Sequence, residues 1–228
     1  SRDDSKLISG DNKGMVKIWS LTAPPFSQLI ARHANNSRII TSSEGNRILY
    51  GCKGKLRIQD VHTGGLLLEI PWGDQVEPGV LDLSPDGRYM ASASRAWQVI
   101  NGVDVKDCTI KIWDAATGGV LHTCAEHAEM LYYLVFSPNS TQLLSVDKGG
   151  TLVVWDTATG NVIRKQQIQI DGNGRRNTDT FFRPQNAYFS PDGKKFITFD
   201  QGIKQWSIAT GMELSEVSKS KGDVMSIN

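Results

Sequence analysis

The side chains that could do chemistry are few and scattered. The sequence has four histidines and three cysteines among its 228 residues. His122, Cys124 and His127 are close along the chain, as the first ligands of a zinc site would be, but no fourth ligand follows them at a suitable spacing. Asp171-Gly172-Asn173-Gly174 begins like a calcium-binding loop, yet Arg175 stands at the next ligand position. We therefore predict neither a metal nor a cofactor.

Catalytic motifs are missing from the sequence as well. It has no phosphate-binding loop ending in Gly-Lys-Ser/Thr, no His-Glu-x-x-His and no Gly-x-Ser-x-Gly. Acidic residues such as Asp86 and Asp192 fall in turn sequences, which explain them without catalysis. With so few histidines nothing indicates an acid–base pair, and we predict that the chain is not an enzyme.

A second group of side chains has the chemistry of recognition. It lies in three irregular stretches, residues 71–79, 95–106 and 167–185. Trp, Phe and Arg dominate interface hot spots, and loops held by a rigid scaffold are where binding usually occurs. The predicted partner-binding residues are Trp72, Arg95, Trp97, Arg175, Arg176, Phe181, Phe182 and Arg183.

Two other interpretations of these stretches stay open. In the first interpretation, some of the aromatic side chains fold back onto the blades and anchor the loops. In the second interpretation, Arg175-Arg176 and Phe181-Phe182-Arg183 contact nucleic acid through phosphates and base stacking. The formal net charge of +1 favours a protein contact or a solvated loop over nucleic acid.

The elements that must hold these stretches are short strands that end in Trp-Asp. Residues 109–118 read Thr-Ile-Lys-Ile-Trp-Asp-Ala-Ala-Thr-Gly, and residues 151–160 are a second copy. Weaker copies occupy residues 202–211 and 55–64, and a fifth at residues 15–20 lacks the Thr-Gly turn. A β-branched run followed by Thr-Gly predicts a strand that enters a hairpin.

Each copy is preceded by a second turn signal. Ser84-Pro85-Asp86-Gly87 and Ser190-Pro191-Asp192-Gly193 combine proline, which presets φ, with an Asp that bonds to nearby backbone and a Gly at the exit. Trp113 and Trp155 are 42 residues apart. A period of about 40–45 residues is that of a four-stranded propeller blade.

With these motifs in register, the chain resembles the WD40-repeat family over nearly its whole length. The resemblance implies an all-β fold, a WD40-type β-propeller with about five four-stranded blades in this chain. The blades are expected at residues 6–32 (partial), 38–70, 80–124, 131–165, 186–217 and 223–228 (partial). The chain starts and stops inside a blade, so we favour part of a larger propeller over a closed five-blade ring.

The resemblance also implies structural roles. The family has a buried hydrogen-bond tetrad of His, Ser/Thr, Asp and Trp, with the Asp usually six residues before the Trp. Gly149 stands at that position before Trp155, so we expect no blade to have every member. The residues predicted to be structural are Trp19, Trp113, Trp155, Trp206, Asp107, Asp200 and His127.

Fold resemblance and composition together suggest the kind of protein. The family's members are mostly scaffolds that bind other proteins, and some are sensor regions attached to signalling ATPases or other effectors. An RNA- or ribonucleoprotein-associated propeller and an enzyme or small-ligand propeller with a central-channel site are the alternatives. All three irregular stretches are expected on one face of such a propeller.

The rest of the composition indicates in which cellular compartment the chain is expected. No apolar run approaches the roughly 18 residues of a membrane-spanning helix. Three cysteines without motif spacing argue against a disulfide scaffold. We expect an intracellular chain in a reducing compartment, cytoplasm or nucleus, that belongs to a larger protein or complex.

Overall fold

The structure is a computed structural model, and it describes residues 6–10, 16–20, 27–31, 39–52, 54–71, 78–94, 98–100, 103–105, 107–167, 187–200 and 202–218. Within these ranges the chain forms strands and turns, without a helix. No helix long and apolar enough to cross a membrane is therefore found in them. The predicted strand at residues 223–228 lies outside the described residues.

The described strands form six antiparallel sheets: a small two-stranded hairpin and five larger sheets that follow one another along the chain, here called blades 1 to 5. Blade 1 contains β1 (Lys6–Gly10), β2 (Val16–Ser20) and β3 (Ser27–Ala31). Blade 2 contains β4 (Ile40–Thr41), β5 (Arg47–Cys52), β6 (Lys55–Asp60) and β7 (Leu66–Pro71). The predicted all-β fold of four-stranded blades is confirmed by blades 2 to 5.

Blade 3 is interrupted by a small hairpin. It has β8 (Pro78–Leu83) and β9 (Tyr89–Ser94), then the hairpin of β10 (Gln98–Ile100) and β11 (Val103–Val105), then β12 (Ile110–Asp114) and β13 (Val120–Cys124). Blade 4 contains β14 (Leu131–Phe136), β15 (Gln142–Asp147), β16 (Thr151–Asp156) and β17 (Val162–Gln167). Blade 5 contains β18 (Ala187–Phe189), β19 (Lys195–Asp200), β20 (Gly202–Ser207) and β21 (Glu213–Ser218).

The middle strands are buried on both faces. In β16, Leu152, Val153, Val154 and Trp155 are each at most 2% exposed, although successive side chains point to opposite faces. A strand is apolar on both faces when both are covered by other layers. The outer strand β17 is mostly exposed instead. Each blade is thus covered by its neighbours rather than by a core of its own.

A separate apolar core fills each joint between neighbouring blades. Blades 3 and 4 share the largest one, which joins Ile110 and Ile112 to Leu134, Leu143 and Val153. Other clusters join blade 2 to blade 3, blade 4 to blade 5, and Ile8 of blade 1 to blade 2. Because these cores lie between sheets, the stability of one blade depends on the next.

The blades have two ends, which differ in their connections. The turn rim contains, in blades 2 to 5, the turn between the first two strands and the turn between the last two strands, residues 42–46, 61–65, 84–88, 115–119, 137–141, 157–161, 190–194 and 208–212. The connection rim contains the segments between second and third strands and between blades. The segments 72–77, 95–109 and 168–186 leave the blades at the connection rim, because the strands flanking them end there.

The Ser-Pro-Asp-Gly turns have the predicted chemistry. The Ser84 hydroxyl donates to Asp86 Oδ1 at 2.7 Å and accepts from the Tyr89 backbone N–H at 2.9 Å. Asp86 Oδ1 also accepts from the Arg88 N–H at 3.0 Å, and Gly87 has a φ of 69°. The predicted bond from Asp to nearby backbone and the glycine at the exit are confirmed.

A complete tetrad lies in blade 4, contrary to the expectation that no blade has one. The Trp155 indole N–H donates to Ser145 Oγ at 2.8 Å, and His127 Nε2 lies 2.7 Å from the same oxygen. His127 Nδ1 lies 3.0 Å from Asp147 Oδ2. Since a carboxylate only accepts, Nδ1 donates, and a neutral imidazole accepts the Ser145 proton at Nε2.

The expectation was wrong because the aspartate of this tetrad is Asp147, which lies two residues before the position from which an Asp was expected. Asp147 is the last residue of β15, eight residues before Trp155, and it precedes the turn that contains Gly149. Its second oxygen accepts from the Thr151 backbone N–H at 2.8 Å. A fixed count of six residues back from the tryptophan assumes that every hairpin has the same length. In blade 4 the hairpin is longer, so the aspartate at the end of β15 lies eight residues before Trp155.

Glycines of the Thr-Gly turns receive side chains from the preceding blade. The pairs are Gly118 with Ile70, Gly160 with His122, and Gly211 with Gln166. These glycines have φ of 75°, 72° and 72°, a region that favours glycine. A Cβ at Gly160 would lie 2.6 Å from His122 Cγ, so the imidazole occupies the space that a side chain would need.

Substitution at this contact gives a matched comparison. Gly160→Ala should lower the free energy of unfolding by about 3 kcal/mol, from backbone strain plus overpacking against His122. Gly193→Ala has the same positive φ, but its Cβ would meet nothing closer than Pro138 at 3.9 Å, so it should cost only about 1 kcal/mol. Urea unfolding measures both. Equal costs, or no recovery in Gly160→Ala/His122→Ala, would contradict the contact.

The buried imidazole predicts a pH dependence of stability. Burial lowers the pKa of His127 despite the opposing effect of Asp147, while the unfolded chain protonates near the ordinary value of 6.5. The unfolded state then binds more protons below that pH, so stability is present above it and decreases as pH falls below it. His127→Gln should cost about 2 kcal/mol at pH 7.5 by breaking the tetrad.

That cost should shrink as the pH approaches about 5, since the wild type loses stability and the variant has no imidazole to titrate. The carboxylates of Asp114 and Asp156, whose pKa values are lowered by turn hydrogen bonds, contribute at lower pH than this window. Urea unfolding across the range measures the difference. Parallel profiles for the two proteins would refute the neutral, buried imidazole.

Candidate functional site

The predicted partner-binding residues fall in segments that the structure does not describe. Outside the described residues lie Trp72, Arg95, Trp97, Arg175, Arg176, Phe181, Phe182 and Arg183. The strands that flank them are described, and they end at the connection rim. The sequence that began like a calcium loop, residues 171–174, also lies outside the described part.

The tryptophans of the Trp-Asp strands have packing and hydrogen-bonding roles in the structure. The Trp19 and Trp113 indoles donate to Ser9 and Ser92 hydroxyls, each at 2.8 Å. Trp19 is 38% exposed, whereas Trp113 is 5% exposed because blade 2 covers it. Trp155 donates within the tetrad.

The two predicted structural aspartates and the last tryptophan complete this set. Trp206 is buried and stacks on Phe196, with ring centroids 6.0 Å apart. Asp107 accepts from the Thr109 backbone N–H at 3.0 Å and from its hydroxyl at 2.7 Å. Asp200 ends β19, but its side chain lies outside the described part.

Blade 2 replaces the tryptophan–serine pair by a different one. Gln59 has the cross-strand position that Trp155 has in blade 4, and Tyr50 stands where blade 4 has Ser145. The Tyr50 hydroxyl donates to Gln59 Oε1, and Gln59 Nε2 donates to the Gly64 carbonyl at 3.1 Å. Burial raises the pKa of Tyr50, which keeps the hydroxyl protonated as a donor.

The three residues weighed as zinc ligands have separate partners. His122 Nε2 donates to the Ala158 carbonyl at 2.9 Å, and His127 is part of the tetrad. Cys124 is buried, and this burial raises the pKa of its thiol to about 11. Among the described residues, no group of three or more His, Cys, Asp or Glu side chains could hold a metal ion.

A feature that sequence reasoning missed is a β-bulge in four successive outer strands. In blade 3, Ile112 pairs with His122 and Trp113 with Val120, so Leu121 is the extra residue. The bulged residues are Leu67 in β7, Leu121 in β13, Ile163 in β17 and Leu214 in β21. They are 50%, 44%, 52% and 48% exposed, so each bulge presents an aliphatic side chain to solvent.

The described surface has a groove at the joint of blades 3 and 4, on the turn rim. Its volume is about 430 Å³ and it is lined by Arg88, Tyr89, Asp114, Ala116, Leu121, His122 and Ala158. The Arg88 guanidinium lies over the Tyr89 ring, 5.5 Å from the centroid. Backbone N–H groups of Thr117 and Ala116 lower the pKa of Asp114, which keeps its carboxylate ionised.

The groove therefore combines an aliphatic wall with an exposed cation. The aliphatic periodicity after each Thr-Gly turn is the sequence signal that could have found it: Leu66-Leu67, Val120-Leu121 and Val162-Ile163 occupy the same place in three repeats. The bulge itself has no such signal, because it depends on the strand register.

Comparison with known proteins follows the same repeats. The family model described as WD domain, G-beta repeat matches residues 76–114 and 118–156. The second match starts near the outer strand of blade 3 and ends with Trp155-Asp156 of blade 4, so the family's unit straddles two blades.

Several relatives contain such repeats or align with them. Apoptotic protease-activating factor 1 of Rattus norvegicus is 23% identical over 192 residues, 75% of this chain and 14% of the relative. WD repeat and SOCS box-containing protein 1 of Xenopus tropicalis is 34% identical over 98 residues, 42% of this chain and 20% of the relative.

WD repeat-containing protein 90 of Mus musculus is 28% identical over 153 residues, 63% of this chain and 8% of the relative. The chain thus spans a fifth or less of the length of these relatives. The matched repeats, the Trp-Asp strands and the four-stranded blades agree with one another, and residues 76–114 and 118–156 of this chain are WD40 repeats.

Proposed function

We propose that the chain is a non-enzymatic platform that binds other proteins through the segments of its connection rim. The observation that carries the proposal is the common origin of three segments, residues 72–77, 95–109 and 168–186, at one end of the blades. These segments contain the Arg, Trp and Phe residues of the predicted partner surface. Such side chains supply most of the binding energy in protein interfaces.

The blades would make this binding efficient by preorganisation. Tetrad and joint cores hold the strands that anchor the segments, so less conformational entropy is lost when a partner binds. The rigid part and the recognising part are then separate, as is common for loops on a scaffold.

A larger protein is the natural setting for such a platform. The chain covers only 14% of the rat relative named apoptotic protease-activating factor 1. That name describes an activator of another protein, which supports the idea of a recognition or sensor region attached to an effector. We propose the same arrangement for this chain, as the recognition region of a larger protein.

The proposal predicts that the connection rim is required for capture. Arg175→Glu combined with Phe182→Ala should reduce recovery of bound proteins at least about tenfold, because it removes a guanidinium and an aromatic anchor. Recovery on immobilised wild-type and variant chains is compared by quantitative mass spectrometry. Leu67→Ser, an exposed change near the turn rim, is the matched control and should leave the same proteins bound.

Circular dichroism and the urea midpoint should be unchanged in the double variant, since both positions are in connecting segments. Undiminished capture by the variant would contradict the connection-rim assignment. Retention on a polyanion column that falls steeply with salt and is lost in the variant would assign the segments to nucleic acid instead.

A further inference from the structure

We propose that the groove at the joint of blades 3 and 4 binds a peptide segment that combines an aliphatic side chain with a neighbouring carboxylate. The aliphatic side chain would pack against Leu121, Ala116 and Ala158, and the carboxylate would bind the Arg88 guanidinium. The groove lies on the turn rim, at the opposite end of the blades from the segments of the proposed function. It is therefore a second site, with its own ligand chemistry.

The bulge explains why side chains rather than a backbone strand would fill this groove. Leu121 is the unpaired extra residue of β13, and it interrupts the regular ladder of the blade's outer edge. Bulges of this kind discourage the addition of another strand. The same distortion leaves Leu121 44% exposed beside the next blade, where it offers an apolar contact to an inserted side chain.

The floor of the groove is fixed. Next to Leu121, the His122 imidazole packs against Gly160 and donates to the Ala158 carbonyl at 2.9 Å. This contact ties the outer strand of blade 3 to the turn of blade 4. A preformed pocket binds with a smaller entropic cost than one that must assemble.

The charge of Arg88 explains why the proposed peptide carries a carboxylate. The Arg88 backbone is held by two turn bonds, from its N–H to Asp86 Oδ1 and from the Ala115 N–H to its carbonyl. Its guanidinium faces the Tyr89 ring, and within the described residues it has no carboxylate within ion-pair distance. Among the described residues no acceptor binds its five guanidinium N–H groups, and their geometry suits a carboxylate.

Asp114 does not cancel this cation as a recognition element. Its Oδ1 already accepts from the Ala116 and Thr117 backbone N–H groups, at 2.9 and 2.7 Å. Those bonds belong to the Thr-Gly turn, whereas the guanidinium donors belong to no turn. The charge of Arg88 does contribute to the lowered pKa of Asp114, but the two side chains form no ion pair, so the guanidinium donors are the groups that a ligand carboxylate would bind.

The other joints provide an internal comparison. Asn46, Arg88 and Thr141 are equivalent, since their backbone carbonyls accept from the N–H groups of Val61, Ala115 and Thr157, at 2.8, 2.9 and 3.0 Å. Lys194 of blade 5 accepts likewise from Ile208 at 3.0 Å, but no blade after blade 5 is among the described residues. Leu67 and Ile163 are the matching bulged residues in blades 2 and 4. All three positions have the aliphatic wall, but only the joint of blades 3 and 4 has a cation among these three residues.

The test begins with a random-peptide display library selected on the full chain, with counter-selection on Leu121→Ser. Enriched peptides should pair Leu, Ile, Val or Met with an adjacent Asp or Glu. A fluorescein-labelled copy of an enriched peptide is then titrated by fluorescence anisotropy. Arg88→Glu and Leu121→Ser should each weaken its binding at least about tenfold. Leu67→Ser, the same change at the joint where Asn46 takes the place of Arg88, should leave it unchanged.

A gain of binding completes the test. Thr141→Arg supplies the missing guanidinium beside Ile163, and it should raise the number of bound peptides per chain from one to two. The variant Arg175→Glu/Phe182→Ala should bind the peptide like the wild type, so the two proposals fail independently.

Several outcomes would overturn the groove assignment. These are enrichment of peptides without acidic residues, no enrichment at all, or equal losses in Leu67→Ser and Leu121→Ser. Displacement of the peptide by free glutamate at similar concentrations would assign the groove to a small anion and would also reject the peptide.

Discussion

Packing between sheets is the interaction on which the rest of this molecule depends. Side chains on both faces of β15 and β16 are buried, and the cores that bury them lie between blades rather than inside one. A single blade would leave one or both of its apolar faces in water, so each is stabilised by its neighbours. Packing between blades also requires the glycines of the Thr-Gly turns, because side chains of the preceding blade occupy the space that a Cβ would need.

Because of this packing, the inner and middle strands, the outer strands and the two rims tolerate substitution to different degrees. The inner and middle strands have little freedom to vary, since their side chains fill the joints. Outer strands are covered on fewer sides, and their bulges both protect the sheet edge and turn aliphatic side chains outward. The two rims carry the turns and the connecting segments, where substitutions disturb the joints little except at the Thr-Gly glycines that contact the preceding blade. The recognition proposed at each rim would depend on this same architecture.

The sequence was sufficient for the fold and for the turns, and insufficient for details that depend on register. Trp-Asp and Ser-Pro-Asp-Gly are local signals whose chemistry is completed within a few residues, as Ser84 and Asp86 show. Asp147 was missed because its position was counted along the chain from Trp155, although the tetrad forms across the hairpin. Had the count started from Ser145, the carboxylate would have been found two residues on.

The candidate site was predictable only in its composition. Residues such as Arg175 and Phe182 were identified by type, and their chain positions place them in connecting segments, but irregular segments have no period from which side-chain geometry could be derived. The groove was missed for a different reason. Leu121, Arg88 and Ala158 are distant along the chain and meet only because one blade's outer strand packs beside the next blade's turn.

The exchange in blade 2 has an evolutionary consequence. Tyr50 is larger than the serine at the equivalent position and Gln59 is smaller than the tryptophan, so the two changes in buried volume oppose each other, and Gln59 Oε1 accepts the hydrogen bond of the Tyr50 hydroxyl. Either replacement alone would overfill the blade or leave a void with an unbonded polar group. Tyr50 and Gln59 are thus expected to change together in evolution. Related proteins should carry both residues or neither, because a protein with only one of them would be less stable.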